Sequence, residues 1–178
     1  MDNSSNIYLV GMMGAGKSTV GRALAKHLHL SFVDADAEIV ERTGVKIPVI
    51  FEIEGEAGFR ARECAVLQEL TQRHGLVLAT GGGAVLNAAN RELLRQHGIV
   101  IYLRVKPEDL LQRTRNDKNR PLLQTQNPLE TLRQLYAERD PLYRETAHLI
   151  VDTGNQSVAR LVNLLVQRLT AFSDDQVS

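Results

Sequence analysis

The nine residues GMMGAGKST, positions 11 to 19, constrain this chain more than any other stretch. They follow directly on an apolar run, IYLV, and lead into Val20, Leu24 and Leu28 at helical spacing. Gly11, Gly16, Lys17 and Ser18 satisfy the pattern G-x-x-x-x-G-K-[ST]. Glycines let the backbone curl until successive N–H groups point inward at a phosphate chain, and the helix starting near Lys17 adds the positive end of its dipole. Lys17 is then placed to reach the β- and γ-phosphates and Ser18 to ligate Mg²⁺, while Gly14, Ala15, Gly16 and Thr19 complete the nucleotide loop. A glycine turn with no ligand is the competing reading, and the strand before and helix after argue against it.

Four further runs resemble that first one: SFVD (31 to 34), LVLAT (76 to 80), IVIYL (99 to 103) and HLIVD (148 to 152). Short apolar runs rich in β-branched residues read as buried strands. Between them lie helical patterns, among them Phe59, Val66, Leu67 and Leu70, then Leu161, Leu164, Leu165 and Leu169. Strands alternating with helices predict an α/β fold with a parallel sheet covered on both faces. In such a sheet the ligand site lies beyond the carboxyl ends of the strands. With 178 residues the chain is expected to form one domain, residues 1 to 178. The polar stretch RTRNDKNRPLLQTQ, within 113 to 126, is expected to be a mobile lid.

The second run ends Phe-Val-Asp-Ala-Asp. In extended backbone, side chains two apart share a side, so Asp34 and Asp36 are expected to project together and to need a positive or hydrogen-bonding partner. Beside Mg²⁺ and a triphosphate, one carboxylate can accept hydrogen bonds from the metal's waters and another can orient an attacking hydroxyl. Alternatively, Asp36 caps a helix over residues 37 to 43.

Two arginines sit where apolar residues belong. At about 100° per residue, Glu63 falls among Phe59, Val66 and Leu70 in GEAGFRARECAVLQEL, with Arg60 at the edge of that face. Either the two simply neutralise each other at i, i+3, or Glu63 holds Arg60 toward an anionic ligand. In NPLETLRQLYAERDPLY, Asn127, Pro128 and Glu130 mark a helix start, and Arg139 projects onto the apolar stripe before Asp140-Pro141, where the helix is expected to stop. Arg139 could satisfy helix-end carbonyls or bind a ligand. The run Gly81, Gly82, Gly83 at the end of the third strand offers N–H groups with no side chain to block a ligand. In the lid, Lys118 and Arg120 precede Pro121, and Arg120 is the candidate for stabilising charge on a transferring phosphoryl group.

Charge narrows the partners. Lys plus Arg and Asp plus Glu number 21 each, so there is no net positive field for nucleic acid or a membrane surface. The single cysteine, Cys64, suits a reducing cytoplasm, and the leader MDNSSN lacks a basic segment, so an unprocessed soluble protein is expected. His27, His29, His74, His97 and His148 show no metal-ligand spacing.

Taken in order, GMMGAGKST, DAD, GEAGFRARE, ATGGG, NRPLL and ERDPLY resemble shikimate kinase over roughly residues 7 to 169. The resemblance implies a small P-loop kinase of the nucleoside-monophosphate-kinase type: a three-layer sandwich around a five-stranded parallel sheet, with a lid near 113 to 126 and a substrate segment near 34 to 62. It implies transfer of the ATP γ-phosphate to the 3-hydroxyl of shikimate with Mg²⁺, in aromatic amino-acid biosynthesis, by a cytoplasmic monomer. By position, Lys17 and Ser18 become phosphate and magnesium residues, and Asp34 an indirect magnesium partner through water. Asp36, Arg60, Arg139 and Gly81 to Gly83 become shikimate contacts. Arg120 becomes the lid arginine, with Arg113 and Gln156 on the adenine side. Two departures are Lys46 before Ile47-Pro48, where a small polar cap is expected, and Asn155-Gln156, where some relatives carry a basic residue. A kinase for gluconate or a nucleoside monophosphate, or a nucleotide-dependent switch, are the rival readings. A switch has no use for two inward arginines beside a triple glycine.

Overall fold

A computed structural model describes residues 5 to 115 and 125 to 178. Along the chain run β1 (Asn6–Val10), α1 (Lys17–Leu28), β2 (Ser31–Asp34), α2 (Ala35–Thr43), α3 (Ile47–Leu70), β3 (Leu76–Ala79), a 3₁₀ turn (Ala84–Leu86) and α4 (Ala88–His97). Then come β4 (Gly98–Arg104), α5 (Pro107–Thr114), α6 (Pro128–Thr146), β5 (Leu149–Asp152) and α7 (Val158–Val177). All strand pairs are parallel, in the order β2-β3-β1-β4-β5. The expected lid, with Lys118, Arg120 and Pro121, lies mostly outside the described residues.

Helices α1 and α7 pack together, and α3, α4 and α6 pack in succession, which with the right-handed crossovers general to parallel sheets puts the two groups on opposite faces. That double cover explains why the central strands are continuously apolar: Ile7 to Val10 and Val100 to Leu103 are fully buried. One polar residue, Asn6, sits among them with its amide satisfied, donating to the Arg73 carbonyl at 2.6 Å and accepting from the Leu76 N–H at 3.0 Å. No helix among the described residues is long and apolar enough to cross a membrane.

The topology sets the site. From β1 the chain crosses to β2 on one side, while from β3 it crosses β1 to reach β4, so the carboxyl ends of β1 and β3 flank the switch point where ligands bind. Thr80 fastens those ends together, its N–H and hydroxyl both donating to the Leu9 carbonyl, at 3.1 and 2.8 Å.

Two local expectations are corrected and one is extended. Extended backbone stops at Asp34, and Asp34, not Asp36, caps α2 by accepting from the Ala37 N–H at 3.0 Å. The helix expected from the GEAGF segment onward is present as the second part of α3, which is two helices joined at a kink at Gly55, whose φ of 72° and ψ of −179° suit glycine alone; the first part starts at Ile47, with Lys46 making no side-chain cap. Finally α6 runs through Pro141 to Thr146. Proline costs one internal hydrogen bond there, and the carbonyls of Glu145, Thr146 and Ala147 accept from Arg95 at 3.0, 3.2 and 3.3 Å.

His148, just before β5, accepts a hydrogen bond from the Val100 N–H through Nδ1 at 3.0 Å, with Phe172 against its ring. Burial, helped by Arg95, pulls its pKa below the ordinary 6.5. A base whose folded pKa is lowered contributes stability above its unfolded pKa and loses it as pH falls through the folded value. Urea titrations from about pH 7.5 down to about pH 5 should therefore show stability falling below pH 6.5. The fall should be smaller in His148→Gln; an equal fall in both proteins would place the effect elsewhere.

Candidate active site

The loop between β1 and α1 closes on itself. Gly14 and Gly16 have φ of 79° and 92°, and the Ala15 N–H donates to the Met12 carbonyl at 3.1 Å. Left-handed backbone at these positions is what turns consecutive N–H groups to one side. Lys17, the first residue of α1, is nearly buried and donates to the carbonyls of Gly11 and Met12 at 2.6 and 2.9 Å. The Ser18 hydroxyl is hydrogen-bonded to Asp34 Oδ2, while Thr19 is exposed. Strand end and loop thus share one small polar volume.

Because the chain turns into α2 after Asp34, the two aspartates separate. Asp34 faces Ser18. Asp36 faces the triple glycine: a Cβ on Gly81 would stand 2.8 Å from Asp36 Oδ1 and 2.9 Å from Glu63 Oε2. Gly82 approaches the nucleotide loop, since its Cβ would lie 3.4 Å from the Met13 nitrogen and 3.4 Å from Arg139 Nη1. Side chains at these glycines would crowd carboxylates, a guanidinium and backbone.

The inward charges of α3 and α6 converge over the same glycines. Glu63 is 1% exposed, and its Oε1 accepts from Arg60 Nη1 at 3.0 Å. Among the described residues its Oε2 has no hydrogen-bond partner. Burial raises the Glu63 carboxyl above its usual range, opposed first by Arg60, raised further by Asp36 and lowered by Arg139. Asp36, Arg60, Glu63 and Arg139 therefore form a single electrostatic cluster. The i, i+3 pairing and the orientation of Arg60 toward the glycines both hold. Arg139 is 7% exposed and lies seven residues before the end of α6, where Arg95 already meets the terminal carbonyls, so it is not an end cap.

On the far side of the nucleotide loop, Arg113 donates to the Ala15 carbonyl at 3.2 Å and to the Gly154 carbonyl at 2.6 Å. It bridges the loop to the β5–α7 connection. Gln156 turns inward on that connection, accepting from the Gly154 N–H at 2.6 Å and donating to the Asp152 carbonyl at 3.3 Å. Arg120 lies outside the described residues. One residue that sequence reasoning left without a site role stands here: Tyr143, whose hydroxyl donates to the Gly82 carbonyl at 2.5 Å. The signal for Tyr143 was its position one helical turn after Arg139.

A phosphate loop on the first of five parallel strands, with a charged acceptor pocket at the neighbouring strand end, defines a small P-loop kinase that takes its phosphoryl group from ATP. The family described as shikimate kinase matches residues 13–170. Shikimate kinase of Thiobacillus denitrificans is 63% identical over 178 residues, covering 100% of this chain and 97% of its own length. That of Ralstonia nicotianae is 61% identical over 165 residues, covering 93% and 87%. The structure of shikimate kinase from Acinetobacter baumannii in complex with shikimate superposes with a TM-score of 0.91 at 56% identity, covering 94% of each chain. The chain belongs to the shikimate kinase family.

Gly83→Ala tests the crowding directly, because the new Cβ would come within 2.6 Å of Arg60 Nη1 and 2.7 Å of Arg60 Cζ. The obstacle is the end of a flexible side chain, so the melting temperature should fall by about 3 °C or less. The Arg60 Nε–H resonance should shift in an NMR spectrum as the guanidinium is displaced. An unmoved resonance would contradict this packing.

Proposed function

We propose a division of labour between this chain's residues for transfer of the γ-phosphate of ATP to the 3-hydroxyl of shikimate. The observation that carries it is the cluster of Asp36, Arg60, Glu63 and Arg139 over Gly81 to Gly83, beside the phosphate loop. Arg60 and Arg139 hold the shikimate carboxylate through charge-assisted hydrogen bonds. Gly81 to Gly83 supply a floor without side chains, and Asp36 faces the acceptor hydroxyl.

Lys17 exchanges its carbonyl partners for the β- and γ-phosphates, and Gly14, Ala15, Gly16 and Thr19 line the phosphate chain. Arg113 and Gln156 shape the adenine side, Arg113 by joining loop to loop and Gln156 by bracing the backbone. Arg120 is assigned to the phosphates from the lid. Ser18 and Asp34 fit Mg²⁺, since both offer hard oxygen atoms and already meet each other. Ser18 would ligate it and Asp34 would hold its waters. Among the described residues no three acidic, His or Cys side chains converge on a metal, so most ligands there would come from phosphate and water. The ion's chemistry is to neutralise charge on the phosphate oxygens.

In the transfer, the bond from the γ-phosphorus to the bridging oxygen breaks as the shikimate oxygen bonds to phosphorus, leaving ADP. Asp36 orients the hydroxyl and receives its proton. A loose transition state needs little deprotonation in advance, so placement supplies much of the effect. Balanced charge and a lone cysteine support a cytoplasmic protein acting on small molecules as a monomer, without nucleic acid or membrane partners.

Asp36→Asn should lower kcat by about 10² to 10⁴ with ADP affinity unchanged, whereas Arg60→Ala should chiefly raise the KM for shikimate, by about 10- to 100-fold. Steady-state kinetics and ADP titration read both. ADP release with shikimate, gluconate, nucleoside monophosphates and water as acceptors fixes the selectivity. Near-normal turnover in Asp36→Asn would sink its assignment.

A further inference from the structure

Tyr143 is fully buried and stands one helical turn after Arg139 on the same face of α6. Its ring packs against Tyr102 with centroids 4.9 Å apart, and its hydroxyl lies 3.8 Å from Met12 Sδ. A phenol has one proton to donate, and here it goes to the Gly82 carbonyl at 2.5 Å. What remains on the oxygen is acceptor capacity. Arg139 is the donor-rich side chain nearest to hand: its Nη1 would stand 3.4 Å from a Cβ on Gly82, the residue whose carbonyl the hydroxyl holds, and its positive charge favours the phenol oxygen's negative end. Helix, arginine and glycine loop therefore close a triangle around one oxygen atom.

The ring alone could fill this space, as Phe would. The hydroxyl adds one directed bond that phenylalanine lacks, fixing the middle glycine of the loop, and a polar atom beside the arginine above it. Arg139 is a long side chain with about 2 kcal/mol of rotamer entropy to lose on binding a ligand, and an acceptor that holds it beforehand removes part of that cost. Asp140 secures the same helical turn from the other side, accepting from Tyr102 at 2.8 Å and pairing with Arg144 at 3.0 Å.

We propose that Tyr143 is a positioning residue for the acceptor site, whose hydroxyl presets Arg139 over Gly82 so that the anion clamp is formed before a carboxylate-bearing acceptor arrives. The inference rests on the reading that Arg139 holds the shikimate carboxylate. It predicts a selective defect: without the hydroxyl, capture of the acceptor weakens while nucleotide handling continues.

The test is kinetics of the full chain with Tyr143→Phe, Arg139→Ala and the double variant, varying shikimate and ATP separately. Tyr143→Phe should raise the KM for shikimate about 5- to 20-fold, with kcat within about threefold and the KM for ATP unchanged. In the Arg139→Ala background the same substitution should add little, because its target is gone. If Arg139→Ala leaves the shikimate KM unaltered, the clamp reading itself fails, whatever Tyr143 does. If Arg139→Ala raises that KM but Tyr143→Phe does not, or its effect multiplies through in full, the positioning role is overturned. Should Tyr143→Phe not fold, the Tyr143 hydroxyl proton of the wild-type protein can be followed by NMR. Addition of shikimate should shift its resonance, and an unmoved resonance would refute the proposal.

Discussion

A carboxylate that is 1% exposed has to be compensated, and the acceptor half of this protein is organised around that requirement. Glu63 has left water for the inside face of α3, where an unpaired charge is costly. Arg60 meets it at 3.0 Å, and Asp36 and Arg139 complete a cluster of two negative and two positive groups. Removing one member of such a buried pair typically costs about 3 to 5 kcal/mol, because the other is left stranded. The same cluster favours the glycines, since a Cβ at Gly81 or Gly83 would displace the ends of these side chains.

Donor and acceptor halves meet because of the sheet. Leu9 is in register with Ala79, and Thr80 bonds back to the Leu9 carbonyl, so the phosphate loop and the triple glycine leave adjacent strands side by side. Asp34 then does two things with one carboxylate. One oxygen caps α2 and the other meets Ser18. Capping turns the chain sharply after β2, and that turn carries Asp36 away from the phosphate loop and over to Gly81.

That turn also shows how far the sequence could be read. The five strands were legible because both faces of a parallel sheet are buried and their runs are continuously apolar, and the phosphate loop because its spacing encodes its backbone. The inward arginines were legible as violations of an apolar stripe. Alternation along an extended segment, however, misplaced the aspartates, since a cap at Asp34 ends the strand before the alternation applies. Pro141 did not stop α6, because burial of Tyr143 and Thr146 beyond it and the Arg95 bonds to the terminal carbonyls outweigh one missing N–H. The first part of α3 was hidden because Lys46 gives no capping signal, whereas Gly55 was legible as the boundary at which the second part begins. Tyr143 escaped because a tyrosine on an apolar face reads as core, and only tertiary contact gives its hydroxyl a partner.

The two arginines of the cluster consequently differ in kind. Arg60 has a side chain 24% exposed, on the stretch of α3 beyond the Gly55 break, and is held by carboxylates of its own helix: Glu63 at 3.0 Å and Glu56 at 3.6 Å. Arg139 is nearly buried on a helix fastened to the sheet through Tyr102 and Asp140 and to the glycine loop through Tyr143. A ligand carboxylate meeting both would therefore compete with Glu63 for Arg60, but would find Arg139 with no carboxylate from its own helix turned toward it inside the pocket. Two carboxylates and two guanidiniums sum to no net charge, so one ligand carboxylate would leave this cluster with one net negative charge and a second would leave it with two, at a growing electrostatic cost in a partly buried site.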